Sequence, residues 1–234
     1  MIYRNLYKAL IPKKIRTRIY KLHIRQYQEQ EKQRFITEHE SVPQIELSPI
    51  YISNLKLLID RDYLLHMMPK NAVVAKIGVD KGEFSEHILS ITNPAILHLI
   101  DAWGSERYQE GLMQIVEDKF IREINTGQVI INRGFSNIVL TQFENDYFDW
   151  VYIDTDHSYK KTFEELEICR LKVKPGGLIS GHDYITGNWI GKIRYGVIEA
   201  VHKFCKENRW EMIYLTHESH RHLSFALREI TSRP

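Results

Sequence analysis

The densest set of chemically capable side chains lies in two short stretches, "DTDHSY" at 154–159 and "GHDY" at 181–184. Asp154 stands three residues ahead of His157, Asp156 directly precedes His157, and His182 directly precedes Asp183. Imidazole is the side chain that exchanges a proton near neutral pH, and a carboxylate within reach orients it, so the set suits general acid–base work. Structural readings stand beside that one. Asp156 has the place of a cap for a helix starting near Ser158, and either histidine can be a packing residue. Asp154 and Asp183 are harder to explain structurally, because a carboxylate at a strand end facing a cleft is costly to bury without a partner.

A second set lies upstream. "VVAKIGVDKGEFSEHIL" (73–89) reads as a buried strand, a glycine turn and a helix. Gly78 and Gly82 let the backbone approach a ligand closely while the chain turns. The stretch lacks G-x-G-x-x-G, which argues against a dinucleotide. Asp101 follows Gly82 by 19 residues at the end of another apolar run, where a carboxylate can accept both hydroxyls of a ribose; capping the next helix is the structural alternative. Turn and acid together indicate an adenosine-containing cofactor with no pyrophosphate to cradle. Lys76 is the anomaly, a cation inside the strand that feeds the turn.

The elements that must hold these residues follow from apolar runs at 73–77, 96–100, 129–131, 148–153 and 178–180, which read as buried parallel strands. Helical spacing separates them: Phe84, Ile88 and Ile91; Tyr108, Leu112 and Ile115; Tyr159, Phe163 and Leu166; and finally Val197, Val201 and Phe204. This rhythm predicts an open α/β sheet with helices on both faces. "KPGG" (174–177) punctuates the entry to the fifth strand. The ending departs from the rhythm, because "EMIYL" (211–215) and "LSFAL" (223–227) are separated only by a polar loop, so the last two strands should be antiparallel neighbours. In such sheets the ligand sits at the carboxyl ends of the strands. That places Gly78–Gly82, Asp101, Gly134–Ser136, Asp154–His157 and His182–Tyr184 around one cleft. Trp103, Trp189 and Tyr184 are candidate walls of an acceptor pocket, with packing as the alternative. His217, His220 and His222 read as exposed residues of the hairpin loop.

Composition limits the classes. The chain has 234 residues and 43% hydrophobic content, enough for one sizeable core. Two cysteines, Cys169 and Cys205, give no disulfide framework or zinc site and fit a cytoplasmic setting. No stretch approaches the roughly 18 apolar residues of a membrane span. Residues 1–25 carry eight basic residues and no acid, leaving 24 basic against 30 acidic residues elsewhere, a net −6. That basic amphipathic stretch, broken at Pro12, suits the surface of an anionic membrane, hence the inner face of a cell membrane, or a solvated helix packed on its own domain. Nucleic acid is disfavoured as a partner because the remainder is acidic.

In order along the chain, "IGVDKGEFS", "LIDAW", "YIDTDHSY", "KPGGLISGHDY" and "GVIEAVHKF" resemble the class I S-adenosylmethionine-dependent methyltransferases, and within them the small sugar and natural-product O-methyltransferases. The resemblance covers roughly residues 50–230 and leaves the N-terminal extension, 1–45, outside a domain of residues 46–234. It implies a Rossmann-like seven-stranded sheet ending in the antiparallel pair. It further implies S-adenosylmethionine held by Gly78, Gly82, Asp101, Ser136 and Asp154. Metal-dependent relatives place oxygen ligands at 154, 182 and 183, with a base three residues after the first. Here these positions give Asp154, His182 and Asp183 for Mg²⁺ or Mn²⁺, with His157 as base and His182 as a nitrogen ligand or second base. Relatives carry Glu at the position of Lys76, where it helps hold the cofactor's ammonium. The lysine either swings toward water or pairs with a nearby acid such as Asp154. The reading is an O-methyltransferase acting on a hydroxyl of a small sugar-containing metabolite or glycan, as in polysaccharide biosynthesis. The alternatives are a non-catalytic methyltransferase-like binding module and a nucleic-acid methyltransferase.

Overall fold

The computed structural model describes residues 12–104, 111–188, 190–218 and 222–231. Tyr108, Trp189, His220 and the first 11 residues of the basic segment lie outside them. The chain divides into two compact units, residues 1–43 and 44–234.

Among the described residues of the first unit, a long helix, α1 (Lys13–Glu40), starts directly after Pro12. Proline suits a helix start, where its missing N–H is no loss, and the Pro12 carbonyl accepts from the amides of Ile15 and Arg16. Neither glycine nor proline interrupts the next 28 residues, so the helix runs on through the polar stretch "RQYQEQEKQRF". None of its residues is buried. At helical spacing, Ile15, Ile19 and Leu22 form one apolar line, while Tyr20, Ile24 and Tyr27 form another on a different side. No helix among the described residues is long and apolar enough to cross a membrane.

The second unit is built on an eight-stranded sheet: β1 (Lys56–Leu58), β2 (Val73–Ile77), β3 (Ile96–Asp101), β4 (Val129–Arg133), β5 (Phe148–Ile153), β6 (Val173–Gly181), β9 (Trp210–Thr216) and β10 (Phe225–Glu229). Its spatial order is β1-β9-β10-β6-β5-β2-β3-β4. β10 runs antiparallel to both β6 and β9, and the other pairings are parallel. β7 (Gly187–Asn188) and β8 (Ile193–Arg194) form a separate two-stranded ribbon. The order reverses between β2 and β3 on one side and β5 and β6 on the other, so the cleft opens over β2 and β5. Seven strands and the antiparallel ending match expectation. β1 and the ribbon do not announce themselves in the sequence, since two or three residues are too few to show a period.

Alternation along the strands feeds two cores. Ala75, Ile77, Val151, Ile153 and Ile179 face helices α7 (Tyr159–Lys172) and α8 (Val197–Asn208), through Leu166, Cys169, Val201 and Phe204. Val74, Leu97, Leu99, Trp150 and Tyr152 face the other side with α2 (Arg61–Met67), α3 (Glu83–Thr92) and α4 (Gly111–Lys119), through Leu64, Phe84, Ile88 and Val116; the short helices α5 (Ile121–Thr126) and α6 (Ser136–Val139) flank β4. Lys76 lies on this second side, opposite Tyr152 in register.

His98 on β3 is 4% exposed, its ring packed among Phe143, Tyr147 and Phe148, with Tyr147 Oη 3.1 Å from Nε2. Burial pushes this imidazole down to about 4. The unfolded chain therefore binds more protons than the native one between about pH 6.5 and 4. Stability is expected to fall as pH drops through that window and this contribution to level off below it. In urea titrations at successive pH values, His98→Phe should flatten the window; an unchanged slope would place the dependence elsewhere.

Candidate active site

The strand ends are stitched together before any side chain acts. The Gly78 amide donates to Ile100 O, Asp154 N to Ile77 O, His182 N to Ile153 O and Gly134 N to Asp101 O. Gly78 has φ +80° and Gly82 φ +75°. Both are needed, but the neighbours they admit belong to the protein itself. A Cβ on Gly78 would lie 1.9 Å from the Asp154 carbonyl oxygen, and one on Gly82 would lie 2.8 Å from the Phe120 ring.

Asp101 brackets the turn. Its Oδ2 accepts from Val79 N at 2.7 Å and Asp80 N at 3.1 Å, and its Oδ1 from Trp103 N at 2.9 Å. A carboxylate offers about four acceptor positions, so one remains for a ribose hydroxyl, where the sequence suggested room for two. Trp103 is 1% exposed, with its indole N–H on Asp80 O at 3.0 Å. It packs under the turn and walls no acceptor pocket. Tyr184 is likewise spent, its Oη bonded to His202 Nε2. Ser136 is buried and donates to Glu165 Oε1, while Thr155 donates to Glu165 Oε2 at 2.7 Å. Ser136 thus ties the loop after β4 to α7, its hydroxyl proton committed to Glu165. Burial raises the Glu165 carboxyl above its ordinary range, with both hydroxyls opposing.

Lys76 answers its own anomaly. The ammonium is buried, 3.0 Å from Asp154 Oδ2 and bonded to Gly78 O, with the rings of Tyr152 and Phe84 beside it at 5.2 and 5.9 Å. Burial lowers the ammonium's pKa and Asp154 opposes that shift. Burial also works against the Asp154 carboxylate, but Lys76 and then His182 outweigh it and hold the group well below the usual carboxylate range. Of the two alternatives for the lysine, pairing with the acid is the one realised.

Asp183, 4% exposed, is the centre of the second half of the site. His157 Nδ1 lies 2.9 Å from its Oδ2, and His222 Nδ1 is bonded to Oδ1. His182 Nδ1 lies 3.5 Å from Asp183 Oδ1 and 3.8 Å from Asp154 Oδ1, and its Nε2 is buried with no hydrogen-bond partner. Both His157 (φ +62°) and Asp183 (φ +58°) adopt left-handed backbone conformations. His157 is fixed further by the Gly196 amide on its carbonyl and by the Tyr195 ring 4.7 Å away. Burial opposes the imidazolium of His157, yet the hydrogen bond and charge of Asp183, followed by Asp154 and Asp156, raise its pKa above the ordinary value. Asp156 supports the loop by accepting from Ser158 N, and Ser158 itself caps α7 through Lys161 N. A small cavity is lined by Asp154, Thr155, His157, Thr162 and His182 together with the apolar Ile153, Val197 and Phe225.

His222 corrects the expectation of an exposed loop histidine; His217 is exposed as expected. The signal lay in strand register. With Phe225 opposite Gly181, the residues before β10 run back beside those after β6, and Tyr184 N donates to Leu223 O.

Ligand atoms of Asp154, His182 and Asp183 all lie within 4.8 Å of one another, as a metal site requires. Their surroundings do not suit a divalent ion. An ion on Asp154 would lie about 5 Å from the Lys76 ammonium, a repulsion on the order of 6 kcal/mol at an effective dielectric of about 20. Both oxygens of Asp183 are already engaged by imidazoles. S-adenosylmethionine fits better: the backbone turn after β2 and the acceptor position left on Asp101 lie together at the carboxyl ends of the strands.

Sheet order, glycine turn and strand-end acids define the fold of the class I S-adenosylmethionine-dependent methyltransferases. Residues 75–184 match the family profile described as a methyltransferase domain. No curated protein matches the sequence. Among solved structures, a SAM-dependent methyltransferase from Aquifex aeolicus aligns with TM-score 0.55 at 11% identity, covering 77% of this chain and 93% of the other. A SAM-dependent O-methyltransferase from Thermotoga maritima aligns with TM-score 0.51 at 12% identity, over 74% and 67%. The pyocyanin biosynthetic protein PhzM aligns with TM-score 0.53 at 12% identity, over 71% of this chain, which spans only 54% of PhzM. At such identities the likeness shows the fold.

Proposed function

We propose that the protein methylates a hydroxyl of a sugar or sugar-containing acceptor, with His157 as general base. The observation that carries this is the 2.9 Å approach of His157 Nδ1 to the buried carboxylate of Asp183. With Asp183 ionised, Nδ1 holds the proton and Nε2 keeps its lone pair. That is the tautomer needed to take a proton from a hydroxyl. When bound, S-adenosylmethionine supplies an electrophilic methyl group on a sulfonium. The chain's own work is to hold the acceptor oxygen at His157, to offer His182 Nε2 to a neighbouring oxygen, and to keep Asp154 charge-balanced through Lys76. The Thermotoga maritima protein of similar fold is itself named an O-methyltransferase, which supports a hydroxyl acceptor.

Labelled S-adenosylmethionine with a panel of glycosides, nucleotide sugars and lipid-linked sugars tests the reading; label appearing in none of them, but in a nitrogen acceptor, overturns it. The pH profile gives a second check. The base acts unprotonated and its pKa is raised, so kcat/KM is expected to climb with pH along a limb centred above about 6.5. Asp183→Asn, which removes the charge that raises it, should move that limb to lower pH while reducing the maximum. A limb that stays in place would separate the titrating group from Asp183.

A further inference from the structure

We infer that Lys76 is the resident cation of this site and that it closes a latent divalent-ion site formed by Asp154, His182 and Asp183. This goes beyond the proposed methyl transfer and does not depend on it, because it concerns what the folded chain binds.

Three observations carry it. The convergence of one imidazole and two carboxylates is of the kind that ions occupy. The lysine stem leaves β2 on the side of Tyr152 and Phe84, and the apolar wall leaves its ammonium little choice but to emerge at the strand end, on Gly78 O and Asp154 Oδ2. There it provides one positive charge fixed by a covalent tether, where an ion would have to be recruited and dehydrated. The carboxylate it neutralises also faces His182. In this arrangement Asp154 keeps its orientation with no ion present, and the repulsion between an ammonium and a divalent cation keeps ions out. A chain with a neutral residue at 76 would keep the same three ligand atoms and lose the repelling charge, so that an ion held by Asp154 and His182 would have only the imidazoles of His157 and His222 to compete with for Asp183.

Mn²⁺ is the probe, read by loss of the free-ion paramagnetic resonance signal and by calorimetry, on the full chain. The wild-type protein should bind no Mn²⁺ through Asp154, and its thermal midpoint should not respond to EDTA. Lys76→Gln should bind one Mn²⁺ per chain at least about 100-fold more tightly than wild type, and Asp154→Asn in that background should abolish it. If Lys76→Gln folds only when Mn²⁺ is supplied, the ion is doing the lysine's work, which supports the inference. Folded Lys76→Gln with no gain in binding overturns it. The wild-type arm stands alone: Mn²⁺ binding by the unaltered protein that disappears in Asp154→Asn overturns it whatever the variants do.

Discussion

Replacing His157 by alanine is expected to lower turnover about 100-fold or more, with affinity for S-adenosylmethionine nearly unchanged. The residue sits in a loop fixed at both ends, by the Ser158 cap on one side and the Asp154 strand junction on the other. Losing its side chain should therefore cost proton transfer and leave the frame in place. His157→Ala would be assayed beside His182→Ala once an acceptor is in hand. His182 lacks a tightly held carboxylate, its nearest acidic oxygen being 3.5 Å away. Its removal should chiefly raise KM for the acceptor. Near wild-type turnover in His157→Ala together with collapse in His182→Ala would move the base to His182. His222→Ala belongs in the same series: it leaves the Asp183–His157 pair in place, so a modest loss is expected.

Gly78→Ala should destabilise the fold by about 3–5 kcal/mol, near the upper end of what one substitution does. Two costs add. A residue with a Cβ in the left-handed region pays roughly 1–2 kcal/mol, and the new carbon would lie 1.9 Å from the Asp154 carbonyl oxygen. That oxygen belongs to backbone, so relief requires moving the end of β5. Gly127→Ala separates the two costs, because Gly127 has φ +78° and nothing within 4 Å of where its Cβ would go. It should show the conformational cost alone. Equal losses in the two variants, measured by urea unfolding, would mean that β5 yields without penalty and that Gly78 is there for its φ only.

Much of the frame was legible because buried parallel strands are nearly continuous apolar runs, and the carboxyl ends of those runs hold Asp101, Asp154 and Asp183. What could not be read was which charge would meet which. Lys76 alternates with Val74 onto the side of Trp150 and Tyr152, a parity the sequence does contain, but where a four-carbon stem ends depends on the rings it passes. His222 was misjudged because its loop looked like a free hairpin. The pair β9 and β10 are mutual antiparallel neighbours as expected; what the sequence did not show is that β10 also pairs with β6, which brings His222 beside Asp183. Trp103 read as an acceptor wall because an exposed aromatic after a strand end is plausible; its φ of +41° and its bond to Asp80 O turn it inward. The continuous helix behind Pro12 reflects the absence of any glycine or proline before Ser41.

The left-handed backbone at His157 and Asp183 constrains how this protein can change over evolutionary time. Valine, isoleucine and threonine are poorly accommodated at either position, whereas asparagine and glycine are readily accepted. The easiest replacements for Asp183 are therefore ones that discard its charge and keep its conformation. A lineage free to vary at 183 would therefore shed the carboxylate before it shed the turn, and its members would keep the fold while His157 lost its partner.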